Sequence, residues 1–403
     1  MDKACQIAKE FYEKMSKIPY PSGLEPSELW MGVLKTLHIP TINTSQTASQ
    51  VCDLVTKKDY YSFPTLNTHH LAGSIIDSYV EWFAQNDAPL SSFDITIQES
   101  PYTSPEVMMQ YQGRNVSTAF MWHLGMAYRI QTKLPKCNSY LEIGSGYGGL
   151  ARIVKLLQPD VTYYMLDMDI SLYFSYVFVS TNFPEAKCLL VDDAEKINQI
   201  DESYDFIFIP TQFIDKLKGL RFDVLVNTQS LSEMTQFAYD RFMDFMQEEI
   251  QVRYFYNANR YGPHPDGVNL KGRCNDGIGH DGCVCASALD PHWRVLFWEL
   301  YSDYNLTNLD PRFMMILEII VERIPKALRN KDYYAVISKQ LFNKAQQRMK
   351  FDNLTHYYLW DSIRYCPTPE NLTYYIQYLE IKGFQQAEHY KRVLGQVRTQ
   401  NNE

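Results

Sequence analysis

The sequence lacks any apolar run long enough to span a bilayer. Its longest runs, such as "FMMILEIIV", are short and broken by a charge, whereas a membrane helix needs about 20 apolar residues. It also lacks the apolar core of a signal peptide, because "MDKACQIAKEFYEKM" is charged and amphipathic. Basic residues are in deficit: 38 Lys and Arg face 47 Asp and Glu, a net charge of −9. General binding of nucleic acid or anionic membrane needs the opposite balance, since phosphates must be neutralised. Cysteine is sparse, with eight in 403 residues. Eight scattered thiols do not make a disulfide scaffold, and reduced thiols in a cytoplasmic protein are the expectation. No compact triple-cysteine run occurs, which argues against radical iron–sulfur chemistry.

What remains is an ordinary globular composition with 30 tyrosines, rings able to build apolar clefts with polar tips. The length predicts two or three domains. Residues 1–130 read as a helical N-terminal region. "ACQIAKEFYEKM", "EPSELWMGVLKTL", "LAGSIIDSYVEWFAQN" and "NVSTAFMWHLGMAYRIQTKL" carry apolar residues at helical spacing. Pro- and Ser-rich stretches, "PYPSGLEPS" and "NDAPLSS", separate them. Over 131–304 the pattern changes to short apolar runs alternating with helix-like segments: "SYLEIG", "TYYMLDMD", "KCLLVDD", "YDFIFIP", "FDVLVNT" and "VRYFYNAN". That alternation predicts an α/β domain, a parallel sheet with helices on both faces. "HWRVLFWELYS" adds a candidate late strand. Residues 305–403 read as helical again. "LDPRFMMILEIIVERIPKAL" is expected to be a helix, with Asp310 as N-cap and Pro311 at its first position. "NLTHYYLWDSIRY" and "NLTYYIQYLEIKGF" are similar helices, expected to cover the sheet's edge or to offer a surface to a protein partner or a second copy.

The chemistry concentrates in "YLEIGSGYGGLARIV", Tyr140 to Val154. A strand ending in Gly-x-Gly turns sharply and lets a ligand approach bare backbone. The helix that follows points free N–H groups at that ligand. Gly144, Gly146 and Gly149 fit a dinucleotide fingerprint; Gly144, Gly146 and Gly148, preceded by Glu142, fit an S-adenosylmethionine loop. Either ligand wants an acid at the end of the second strand for ribose hydroxyls, here Asp167 or Asp169. Glu142 tips the balance. A carboxylate there would repel a pyrophosphate but suits a sulfonium and an ammonium.

At this point the chain resembles a known group. "YLEIGSGYGGLAR" is similar to motif I of class I S-adenosylmethionine-dependent methyltransferases. "FDVLVNTQSLSEM", "YFYNANRY" and the upstream "GRNVSTAFMWHLGMAYRI" resemble segments of the sugar O-methyltransferase family, over roughly residues 105–300. The resemblance implies a Rossmann-like fold, with Glu142, Gly144, Ser145, Gly146 and Gly148 as the cofactor loop and Asp167 at the ribose. With "YDFIFIP" as third strand, Thr211 and Gln212 fall near adenine, and "KCLLVDD" is left as an extra strand or a loop; Asp192 and Asp193 are the competing assignment. Asn227 completes the expected cofactor set. Two departures concern the acceptor. Asp167-Met-Asp169-Ile170 replaces the family's usual Asp-Leu-Pro-Glu, and a long Gly- and Cys-rich stretch follows "NRY".

Methyl transfer to a sugar hydroxyl needs alignment, exclusion of water and a base. Glu233 and His264 are the candidate catalytic groups; His123, Ser230, Arg260 and Tyr261 are the candidate acceptor contacts. Each has a plainer reading. Glu233 could be an early-turn helix acid, His123 a packed histidine, and Asn227 and Ser230 helix caps. Cys274, His280, Cys283 and Cys285 form C-x5-H-x2-C-x-C, whose spacing departs from common zinc pairs; no metal is expected. A small-molecule or glycan hydroxyl is the expected acceptor. Rival readings are a degenerate methyltransferase fold serving as a binding module and a nicotinamide-dependent oxidoreductase.

Overall fold

The structure, a computed structural model, describes residues 2–45, 47–57, 97–201, 203–260, 289, 292–302, 315–347, 353–381, 383 and 387–401. The N-terminal region holds α1 (Lys3–Met15), α2 (Glu28–Val33), α3 (Ile39–Thr44) and α4 (Ala48–Thr56). Thr47 and Gln50 close a capping box at the start of α4, which satisfies two of its free N–H groups. A small antiparallel hairpin, β1 (Met109–Tyr111) and β2 (Arg114–Val116), precedes the long α5 (Thr118–Lys133). Ser117 caps α5 by accepting from Phe120 N–H, and Glu99 in turn accepts from the Ser117 hydroxyl at 2.6 Å. The expected helix "LAGSIIDSYVEWFAQN" lies outside the described residues.

Eight strands follow in one sheet: β3 (Ser139–Ile143), β4 (Thr162–Asp167), β5 (Cys188–Leu190), β6 (Phe206–Pro210), β7 (Arg221–Thr228), β8 (Gln251–Arg260), β9 (Trp293–Ser302) and β10 (Met315–Arg323). Their order is β5-β6-β4-β3-β7-β8-β10-β9. The pairs from β5 through β8 are parallel, and β10 runs antiparallel to both β8 and β9. Between strands lie α6 (Gly149–Leu157), α7 (Asp169–Asn182) and α8 (Gln236–Asp244). This is a Rossmann-like α/β sheet with helical regions before and after it. The chain builds outward from β3 to β4 and then returns to β3's other side as β7. The crevice at such a reversal, beyond the strands' carboxyl ends, is where ligands sit in open α/β sheets.

The third-strand ambiguity resolves through pairing. Phe206–Pro210 lies directly beside β4, and Cys188–Leu190 is a short extra strand on the outer edge. One expectation is overturned. Within "LDPRFMMILEIIVERIPKAL", Met315–Arg323 is the strand β10 and not a helix; the expected cap Asp310 and Pro311 lie outside the described residues. Its run of Ile and Val suits a strand buried on both faces, a pattern that short apolar runs share with buried helices. The charge that interrupts its apolar run, Glu318, is fully buried and is met by Arg129 of α5 at 3.5 Å and by the Tyr256 hydroxyl at 2.8 Å. Helices α9 (Lys331–Gln347), α10 (Asn353–Tyr365), α11 (Pro369–Ile381) and α12 (Ala387–Asn401) pack one on the next. Arg364 of α10 donates to Leu289 O and Trp293 O and so ties this layer to β9. Among the described residues no helix is long and apolar enough to cross a membrane.

Candidate active site

The loop after β3 is shaped by its glycines. Gly144, Gly146 and Gly148 all have positive φ, a region that costs other residues dearly. Gly144, at φ +74, has a second constraint: a Cβ there would lie 2.2 Å from Ser230 Oγ. Gly149, which opens α6, is glycine for a different reason. A Cβ there would lie 2.6 Å from the His123 ring. The G-x-G-x-x-G match therefore ends on a packing contact with α5.

Two buried acids face the loop. Asp167, at the end of β4, accepts from Gly146 N–H at 2.9 Å and from Met168 N–H at 2.7 Å. Burial raises its pKa to about 6, against the pull of those two bonds. Glu142, 1% exposed, accepts from the Tyr163 hydroxyl at 2.9 Å. Burial pushes its pKa to about 8, with the Asp167 charge adding to the rise. A carboxyl so placed holds its proton near neutrality until a positive charge arrives.

Around these acids lies a cleft that opens to solvent and encloses, with that open space, about 1140 Å³ free of protein atoms. Of the expected cofactor residues, Glu142, Gly144, Ser145, Gly146, Asp167 and Thr211 line it; so do His123, Ser230 and Glu233. Asn227 does not. It is wholly buried, donating to Ile143 O at 2.7 Å and accepting from Asn259 at 2.7 Å. Its task is to fix the end of β3 against β7 and β8. Ser230 receives the other Asn227 contact at 2.6 Å, so it braces the Gly144 turn while also facing the cleft. Gly148 lies under Val179, and Gln212 lies beside the lining residue Thr211 without joining it. His123 is buried, and burial alone lowers its pKa to about 3, so its imidazole is neutral. Glu233 is half-buried in the turn after β7. Arg260 closes β8 opposite Ile316. Tyr261, His264 and the Cys274, His280, Cys283, Cys285 group lie outside the described residues.

The structure also brings in residues that the motifs did not flag. Leu24, Pro26, Ser27 and Trp30 of the N-terminal region line the cleft, with Trp122 and Phe242. The only signal for the first three was the Pro-rich "PYPSGLEPS" stretch, since loops often carry function. Gln229 lines the cleft with φ +59, an uncommon conformation that marks stored strain; no single-sequence cue announced it.

The charge of the lining is one-sided. Glu25, Asp167 and Glu233 contribute to it, Glu142 joins them once a cation draws off its proton, and among the described residues no Lys or Arg lines the cleft. Such a cleft repels phosphates and favours a ligand carrying positive charge. A Gly-rich turn, an acid at the end of β4 and a buried carboxyl at the base can together hold a cationic nucleoside.

No protein family matches the sequence. No curated protein matches it either. Among solved structures, the chain is similar to TehB from Haemophilus influenzae at 12% identity, over 49% of this chain and 62% of that one, with a TM-score of 0.32. It is similar to the N-terminal domain of EvdMO1 with SAH bound at 12% identity, over 54% and 90%, with a TM-score of 0.33. It is also similar to the plantazolicin methyltransferase BpumL in complex with SAH, at 8% identity over 63% and 94%, with a TM-score of 0.30. Likeness at this distance assigns no shared activity to the chain.

Proposed function

We propose that this chain is an S-adenosylmethionine-dependent methyltransferase acting on a hydroxyl of a sugar or glycan precursor. The observation that carries the reading is the lining itself. Four acids and, among the described residues, no Lys or Arg line the cleft around a glycine turn that leaves no room for a Cβ at Gly144 or Gly148. A dinucleotide would bring a pyrophosphate into this acidic space with no Lys or Arg among the described lining residues to meet it. S-adenosylmethionine brings a sulfonium and an ammonium, and it fits the acids that are present. When bound it supplies an activated methyl group with a neutral thioether as leaving group.

The chain's own residues do the rest. Asp167, which accepts from Gly146 N–H, Met168 N–H and the Ser145 hydroxyl, is the acid the resemblance places at the ribose, and Thr211 directly follows β6 on the adenine side implied by the resemblance. Glu142 ionises against the incoming positive charge. Trp30, Trp122 and Phe242 exclude water from the cleft, which strengthens every charge interaction inside it. Flat aromatic walls with nearby carboxylates also suit a sugar, whose C–H face is apolar and whose hydroxyls donate. Glu233, half-buried on the same lining, is the group we assign to take the proton from the acceptor hydroxyl.

Titration calorimetry with S-adenosylhomocysteine tests the cofactor. Micromolar binding is expected, and folded protein that shows no heat would overturn the reading. NADH should show no fluorescence enhancement with the same sample.

A further inference from the structure

We propose that residues 16–30 form a strap that closes the cleft over its cofactor, latched by Tyr20 on Asp169 and by Gly23 beneath Phe237. The proposal rests on the cofactor reading above. Helix α1 packs on α7 through its buried Cys5, Ala8, Phe11 and Met15, and so delivers the chain to the rim of the cleft. No helix or strand intervenes between Met15 and Glu28. Within that span Tyr20 donates its hydroxyl to the Asp169 carboxylate. Burial and the Asp169 charge both hold the Tyr20 hydroxyl protonated far above the usual tyrosine range, so it remains a donor. Asp169 opens α7, two residues beyond Asp167.

The chain then turns, with Leu24 N–H donating to Pro21 O at 2.9 Å and Gly23 N–H donating to Glu25 at 2.7 Å. Gly23, at φ +84, lies flat against the Phe237 ring of α8; a Cβ there would be 2.0 Å from it. Phe237 is otherwise 58% exposed, a large ring on a surface helix whose covered side meets the strap. Beyond this second anchor, Leu24, Pro26, Ser27 and Trp30 line the same cleft as Gly144 to Tyr147. Ser27 then caps α2 by accepting from Trp30 N–H.

The strap thus crosses from α7 to α8, the two helices that follow the cleft's flanking strands. Between its anchors it is held by local turn bonds and by neither sheet nor helix pairing. Besides these anchors, Leu24, buried in the core, and Ile18, packed against it, hold the segment by apolar contact; a segment so lightly held belongs to the less stable part of a fold, where lids are found. The latch and the ribose acid share one short turn: Asp167 and Met168 face the cleft, and Asp169 faces Tyr20. A ligand that fixes this turn also fixes the latch, so cofactor binding and strap closure favour each other.

Two variants separate latch from fold. Tyr20→Phe removes the donor; Phe237→Ala removes the second anchor from an exposed position and leaves the core intact. Hydrogen exchange of residues 16–30 in ligand-free protein reads the latch. Stopped-flow tryptophan fluorescence reads S-adenosylhomocysteine association and dissociation, because Trp30 and Trp122 are in the cleft wall. Both variants should exchange faster in the strap and release the ligand faster, Tyr20→Phe on the order of tenfold for loss of a hydrogen bond to a charged group. In the wild type, ligand should slow exchange across 16–30. Unchanged strap exchange in both variants would overturn the latch. Faster exchange with wild-type ligand rates would overturn the gating role while leaving the cofactor reading intact. Wild-type protein that binds no S-adenosylhomocysteine would overturn the cofactor reading, and the strap's role with it.

Discussion

Replacing Glu142 by glutamine keeps the side chain's shape and removes its titration, and the consequence can be worked out in advance. In the unfolded chain this carboxyl ionises near 4.5; in the folded, ligand-free protein burial moves it to about 8. The folded pKa is raised, so the native state binds the proton more tightly than the unfolded state. The associated stability is fully present below pH 4.5 and is lost as pH rises through about 8. At pH 7 the gap of 7 minus 4.5 corresponds to about 3 kcal/mol of lost stability, and above pH 8 the loss levels off near 5 kcal/mol. Glu142→Gln carries no such loss. Urea unfolding of both proteins without ligand, from pH 5 to pH 8.5, isolates the effect, because every other titrating group is common to the pair. The variant's relative stability should climb by about 1.4 kcal/mol per pH unit and flatten near pH 8. The same variant should bind S-adenosylmethionine more weakly, since it offers the sulfonium no negative charge. A stability difference that stays constant over the whole range would refute the assignment of a protonated buried carboxyl.

Two further outcomes follow from the packing. Gly144→Ala should abolish S-adenosylhomocysteine binding in calorimetry, because the new Cβ meets Ser230 Oγ at 2.2 Å and the backbone stays at φ +74. Adding Ser230→Gly should restore binding only in part, since it relieves the clash and not the strain. Arg129→Met should lower stability by about 3–5 kcal/mol in chemical denaturation by leaving Glu318 buried and uncompensated. Adding Glu318→Leu should recover most of that loss; a double variant no better than the single would show that the pair is not the cause.

Much of the sheet was legible along the chain. "SYLEIG", "TYYMLDMD", "YDFIFIP", "FDVLVNT" and "VRYFYNAN" all became strands, because each is a short apolar run bounded by turn residues. The glycine turn was legible for the same reason: positive φ is a local demand that only a few residues meet. β10 was not legible. "FMMILEIIV" has no period that separates a buried strand from a buried helix, and its Glu318 argues against either until Arg129 and Tyr256 are seen beside it. Asn227 shows a similar gap. A polar residue after a strand in a ligand-binding fold invites a ligand role, yet its partners are Ile143 and Asn259 from strands on either side.

The sequence by itself determined the local conformations: where the chain must turn, which segments alternate strand with helix, and that an acid precedes the glycines. These follow from steric limits and short-range periodicity, which act within a few residues. Only the tertiary structure decided what those acids experience. The burial that raises Glu142, the Tyr163 hydroxyl upon it, the lack of any Lys or Arg in the described lining, and the arrival of residues 16–30 at the rim all depend on groups distant in the chain. Desolvation and charge act through space, and the order of residues does not record who will be neighbours.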